Sequence, residues 1–165
     1  MPSFQGRPKA FLDEVILPAL AKLELDPNPR AVAQLLLGTA IQESNLQFRR
    51  QFGDGPARGL FQMEPVTHDD IWANFLKFNA GLSAKVASFL GGGGPSADAL
   101  ENNDLYATAM ARAHYRRVPA ALPAADDIVG MGAYWKVHYN TPQGAGTAQE
   151  FIDRYQQVVQ GNFPQ

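Results

Sequence analysis

The sequence predicts an all-α fold, and three observations carry that reading. Apolar residues recur at three- and four-residue spacing over several stretches. Helix start signals precede those stretches, and proline or glycine clusters follow them. No stretch alternates apolar and polar residues as a half-buried strand does, and no internal repeat is visible.

Phe11, Leu12, Val15, Ile16, Ala19, Leu20 and Leu23 predict a first helix from about Pro8 to Leu23. Pro18 either kinks it or splits it in two, because proline lacks the N–H that a helix interior uses. Asp26-Pro27-Asn28-Pro29 forms a firm break, with Asn28 suited to an N-cap and Pro29 to the first helical position. The second helix then runs through Val32, Leu35, Leu36 and Thr39 to about Ser44. Gln47 to Arg58 is polar and holds Gly53, Asp54, Gly55 and Pro56, a loop composition.

From Pro65, the residues Asp69, Asp70, Ile71, Trp72, Phe75 and Leu76 predict a short helix, and Leu82 to Leu90 another. Gly91 to Gly94 followed by Pro95 reads as a loop inside one domain. Helix resumes within Ser96 to Arg117, most clearly from Asp104, and Pro119 and Pro123 end it. Asp126 or Asp127 caps the next helix, which runs through Trp135 to about Tyr139. Asn140-Thr141-Pro142 with Gly144 and Gly146 is a loop. Thr147 followed by Glu150 is a capping box, which predicts a last helix from Ala148 to about Gln160.

At 165 residues the chain is most simply one domain, 1–165. A chain of that length buries roughly 68–70% of its unfolded surface. The formal net charge is −2, from 14 basic and 16 acidic residues, with no charge run of the kind that binds nucleic acid. Cysteine is absent, which excludes disulfides and thiolate metal sites. The N-terminus lacks the pattern of a signal peptide. No run approaches the ~18 apolar residues of a membrane span, so no membrane insertion is expected.

Glu43 stands out against this background. Val32, Leu36 and Thr39 share a helix face, and Glu43 follows Thr39 by four residues and Leu36 by seven. A carboxyl group on a buried face has its charged form disfavoured, which raises its pKa. A general acid working near neutral pH needs that shift, because it must still hold the proton it donates. The bland alternative is a solvated helix-end residue or one member of a buried ion pair.

Glu43-Ser44-Asn45-Leu46, followed by Gly59-Leu60-Phe61-Gln62-Met63-Glu64-Pro65 and Thr67, resembles the soluble lytic transglycosylase and goose-type lysozyme superfamily. There a Glu-Ser pair ends a helix, and a Gly-Leu-Met-Gln type turn and a proline come shortly afterwards. The match covers about Leu35 to Ile71; Ala107 to Arg117 and the chain end look like bacteriophage proteins of this kind. The resemblance implies a lysozyme-like helical domain with Glu43 as acid/base and Gln62 in a sugar-binding cleft.

The family's later Ala-Tyr-Asn-Ala-Gly motif, whose tyrosine approaches the glutamate, is not present here. Ala113-His114-Tyr115-Arg116-Arg117 offers Tyr115 for that role, and Tyr139-Asn140 offers a later tyrosine without the Ala-Gly. Either tyrosine is otherwise an amphipathic side chain at a helix end. Ser44 is placed near Glu43 as a hydrogen-bonding or substrate-side residue, or as a cap for the chain's exit.

The implied activity is cleavage of the β-1,4 bond between N-acetylmuramic acid and N-acetylglucosamine in peptidoglycan. A lytic transglycosylase does this with one glutamate, which protonates the glycosidic oxygen and then takes the proton of the sugar's own C6 hydroxyl. A goose-type hydrolase is the first alternative. It needs a second carboxylate, roughly 6.5–9.5 Å from the first in an inverting enzyme, and Glu64 and Asp54 are the candidates. Asp54 also fits an ordinary turn, and Glu64 a helix first turn. A catalytically silent wall-binding or virion protein is the second alternative.

His68, His114 and His138 are scattered, so no metal site is expected, and no organic cofactor is implied. Trp72 and Trp135 read as core, with stacking on sugar rings as the other reading. Arg49, Arg50, Arg58, Arg116 and Arg117 form a candidate basic rim for the carboxylates of peptidoglycan peptides, or are ordinary surface arginines. The expected partner is the glycan strand, and the expected state a monomer. The expected site of action is the periplasm or cell wall, reached by phage-type release or in a virion.

Overall fold

The computed structural model describes residues 3–141 and 143–160. Pro142, expected in the loop after Tyr139, lies outside the described residues, as do Met1, Pro2 and the residues after Gln160. The fold is mostly helical, with 64% helix and no strands among the described residues. No helix among them is long and apolar enough to cross a membrane.

Helix α1 (Pro8–Phe11) passes through a π-helical turn, Leu12–Ile16, into α2 (Leu17–Leu23). Pro18 therefore neither splits the segment nor breaks its ladder. The wider π turn just upstream, in which Leu17 N–H reaches Leu12 O, absorbs the proline's missing donor and bulky ring. Glu24 ends α2 in the left-handed conformation, at φ 55°.

Helix α3 (Arg30–Ser44) begins one residue later than the sequence suggests. Pro29 is its N-cap, and Asn28 Oδ1 accepts only a long bond, 3.5 Å, from Arg30 N–H. Ten of its 15 residues are buried, on every side of the helix between Val32 and Ile41. A helix buried all round is a hub. Gly38 lets the helix that carries Phe151 approach: a Cβ there would lie 2.3 Å from the Phe151 ring.

After α3, Asn45 and Leu46 both take positive φ, 52° and 58°, and turn the chain back on itself. The polar loop that follows holds a short 3-10 turn, Phe52–Asp54, and two isolated bridges, Arg50 to Arg58 and Arg58 to Met63. Arg49 ties the loop to the rest of the fold through a largely buried ion pair with Asp104.

Helices α4 (Pro65–Asn74), α5 (Ala80–Ala87) and α6 (Ala99–Asn102) wrap one side, with 3-10 turns closing the first two. Trp72 belongs to this wall, donating to Tyr106 Oη at 2.9 Å. Helix α7 (Asp104–Arg116), capped by Asn103, is more buried than α3, with ten of its 13 residues enclosed. The two helices are joined by Thr39 Oγ1 and Tyr115 Oη at 2.8 Å.

Helix α8 (Ile128–Trp135) is capped by Asp127, whose Oδ1 accepts from Gly130 N–H at 2.9 Å. It runs into a second π turn, Lys136–Asn140. Helix α9 (Ala148–Tyr155) is capped by Thr147, which accepts from Glu150 N–H at 3.1 Å. Only that half of the capping box forms, because the Glu150 carboxylate turns to Gln42 Nε2, 3.4 Å away.

Candidate active site

A cleft of about 920 Å³ opens where α3 ends. One wall is the last turn of α3 and the Gly59–Glu64 turn, and the other is the end of α7 with the π turn after α8. The loop before α9 and Glu150 close one end. Glu43, Gln62, Glu64 and Tyr139 all line this cleft.

Glu43 sits in the last turn of α3, enclosed by the wall except where it faces the cleft. Burial pushes its carboxyl up from the ordinary 4.5 to about 7. No hydrogen bond or ion pair reaches this carboxyl from any described residue. A buried carboxyl without a partner is held near half-protonation at neutral pH and is free to give or take a proton.

Ser44 has a different task from substrate contact. It is buried, and its hydroxyl donates toward Leu60 O at 2.6 Å, with Ala40 O at 2.9 Å as second acceptor. The glutamate's helix end and the following turn are thereby stitched together. Gly59 makes the turn possible: its φ is +76°, and a Cβ would lie 2.1 Å from Leu100 O. Gln62, at φ 47°, donates through Nε2 to Gly59 O at 2.9 Å. Its Oε1 has no partner among the described residues, and the side chain lines the cleft.

The two candidate tyrosines part company. Tyr115 is buried behind the cleft wall, bonded to Thr39, its ring 5.4 Å from that of Tyr139. Tyr139 lines the cleft and donates its hydroxyl proton to Phe61 O at 2.6 Å, beside the Gln62 turn. Burial holds both phenols well above their usual range, and the nearby Glu43 carboxylate adds to the effect. Both therefore stay neutral, and Tyr139 is the one presented to the cleft.

Of the two candidate second carboxylates, Glu64 is exposed at the cleft edge, where it precedes α4. Asp54 is exposed on the 3-10 turn and does not line the cleft. The arginine rim is largely committed elsewhere. Arg49 pairs with Asp104, Arg50 with Glu101 at 3.0 Å, and Arg58 donates to Gly55 O and Ala57 O. Arg117 does line the cleft, and it is paired with Asp70 at 2.6 Å.

Further residues complete the lining, among them Arg117 and Trp135, which the sequence marks as a rim arginine and as core or a sugar-stacking ring. His114 lies in the last turn of α7 and Arg117, its C-cap, follows by three residues, a spacing that puts both on one face and is visible in the sequence. Trp135 is core, stacked on Phe151 at 5.7 Å, yet its edge reaches the cleft. His138 and Asn140 arrive through the π turn, for which periodicity gives no warning. Gln42 and Glu150 meet across α3 and α9. Among the described residues no three metal-binding side chains converge.

Comparison of the chain with protein-family models, with curated proteins and with solved structures finds no match.

Proposed function

We propose that the chain is a peptidoglycan-cleaving lytic transglycosylase of lysozyme-like fold, related to the soluble lytic transglycosylases and goose-type lysozymes. The observation that carries the reading is Glu43, an unpartnered and enclosed carboxyl with a pKa of about 7 on the wall of an open cleft. Glu43 protonates the oxygen between N-acetylmuramic acid and N-acetylglucosamine, and the C–O bond to the muramoyl C1 breaks. The resulting carboxylate takes the proton of the muramoyl C6 hydroxyl as that oxygen bonds to C1. The products are a 1,6-anhydro end and a free N-acetylglucosamine hydroxyl; no water is consumed and Glu43 ends as it began.

Gln62 Oε1 accepts from a sugar hydroxyl or acetamido N–H, and Tyr139 lines the same cleft, near enough for the Glu43 charge to raise its phenol. Delivery to the wall follows a bacteriophage pattern, by release through a partner pore or within a virion. Glu64 supports a second reading, a hydrolase in which it activates water, since it lines the same cleft. Loss of activity in Glu43→Gln tests the assignment. With general-acid catalysis removed, lysis of purified cell walls should fall about 10²–10⁴-fold. Unchanged lysis by this variant would refute the role of Glu43.

A further inference from the structure

We infer that His114, braced by Arg117 and Asp70, is a positioning residue that fixes Tyr139 against Glu43. This rests on reading the cleft as the catalytic site. Asp70 on α4 accepts from Arg117 Nη1 at 2.6 Å, and Arg117 Nη2 lies 2.9 Å from His114 Nδ1. A guanidinium can only donate, so Nδ1 must be the acceptor and the imidazole proton sits on Nε2. The ring therefore has one tautomer and one orientation.

Its remaining contacts fall on the π turn. The backbone of His138 faces the ring as a hydrogen-bond acceptor, and the ring meets Tyr139 edge-on, centroids 4.9 Å apart at 82°. Tyr139 is then pinned at its far end by Phe61 O. The continuous path from Asp70 to Phe61 ties α4, α7, the π turn and the Gln62 turn into one frame around Glu43. Burial and the facing Arg117 charge push the imidazole down to about 4, so the brace is neutral at neutral pH. A hydrocarbon would fill this place at lower desolvation cost if packing alone were needed. An oriented imidazole fits a demand for direction.

The test follows the Glu43 side-chain carbon by NMR titration in full-length protein carrying ¹³C-glutamate, together with turnover on purified peptidoglycan. His114→Phe keeps a ring but removes both nitrogens, whereas His114→Gln keeps one acceptor and one donor. In the phenylalanine variant Tyr139 loosens, water reaches the carboxyl, and the Glu43 midpoint falls by about 1 in pH. Turnover falls up to about 10²-fold while KM stays within about threefold, the pattern of a misplaced catalytic group. The glutamine variant restores most of both.

An unmoved midpoint and unchanged turnover in folded His114→Phe would overturn the inference, as would equal impairment of the two variants. If His114→Phe does not fold, Arg117→Met, which removes the donor to Nδ1, is read in the same way. The titration decides the point even if the wild type cleaves no peptidoglycan, which would count against the proposed function alone.

Discussion

Replacing Glu43 by glutamine should stabilise the protein, and by an amount that grows with pH. The carboxyl titrates at about 7 in the folded protein against an ordinary 4.5. Between those values the folded protein holds a proton that the unfolded chain has released, so stability is lost as pH rises through this window. Below 4.5 the acid is neutral in both states, and the amide is a fair mimic of it. Above 7 the wild type bears the full cost of an enclosed charge, about 3 kcal/mol at 1.36 kcal/mol per pH unit. For a chain of this size that corresponds to a rise of about 6–12 °C in Tm. Urea denaturation followed by tryptophan fluorescence, at about pH 4 and about pH 8, measures the difference directly. A gap near zero in acid that opens to about 3 kcal/mol in base is expected. A gap that does not change with pH, or a variant less stable than wild type at the higher pH, would refute the claim that burial raises this carboxyl.

His114 carries the opposite dependence. Its imidazole is pushed from 6.5 to about 4, so the folded state holds fewer protons in that window and stability rises with pH. Relative to wild type, His114→Gln should gain up to about 3 kcal/mol as pH falls through it, by the same urea assay. Tyr139→Phe leaves Phe61 O without its donor and should cost about 1–2 kcal/mol in thermal or urea unfolding. Arg49→Met strands Asp104 with its side chain 7% exposed, and should cost about 3–5 kcal/mol. On the single-glutamate reading, Glu64→Gln should keep wall-cleaving turnover within about twofold; a large loss would favour the hydrolase.

Much of the helical frame could be read from periodicity because the apolar residues of α3 and α7 recur at helical spacing and turn signals follow both ends. Glu43 was legible for the same reason, as the last member of a buried stripe. What sequence spacing could not convey were the π turns, among them those near Pro18 and Tyr139 and a third, Gln156–Gln160, after α9. An extra residue in a helical turn depends on what packs against it, and it rotates everything downstream by a large fraction of a turn. That rotation carries Tyr139 into the cleft, while Tyr115, equally placed in a linear reading, is turned toward Thr39. The arginines show the complementary limit. A run of positive charges looks like a binding rim until Asp104, Glu101 and Asp70, distant in sequence, arrive to pair with them.

The most direct measurement of the central claim is mass spectrometry of purified peptidoglycan digested with wild type and with Glu43→Gln. The account predicts 1,6-anhydromuropeptides from the wild type and none from the variant. Reducing-end muropeptides would contradict the transglycosylase step and point to water activated by a second carboxylate. Absence of products from folded wild type would contradict the catalytic reading of the cleft.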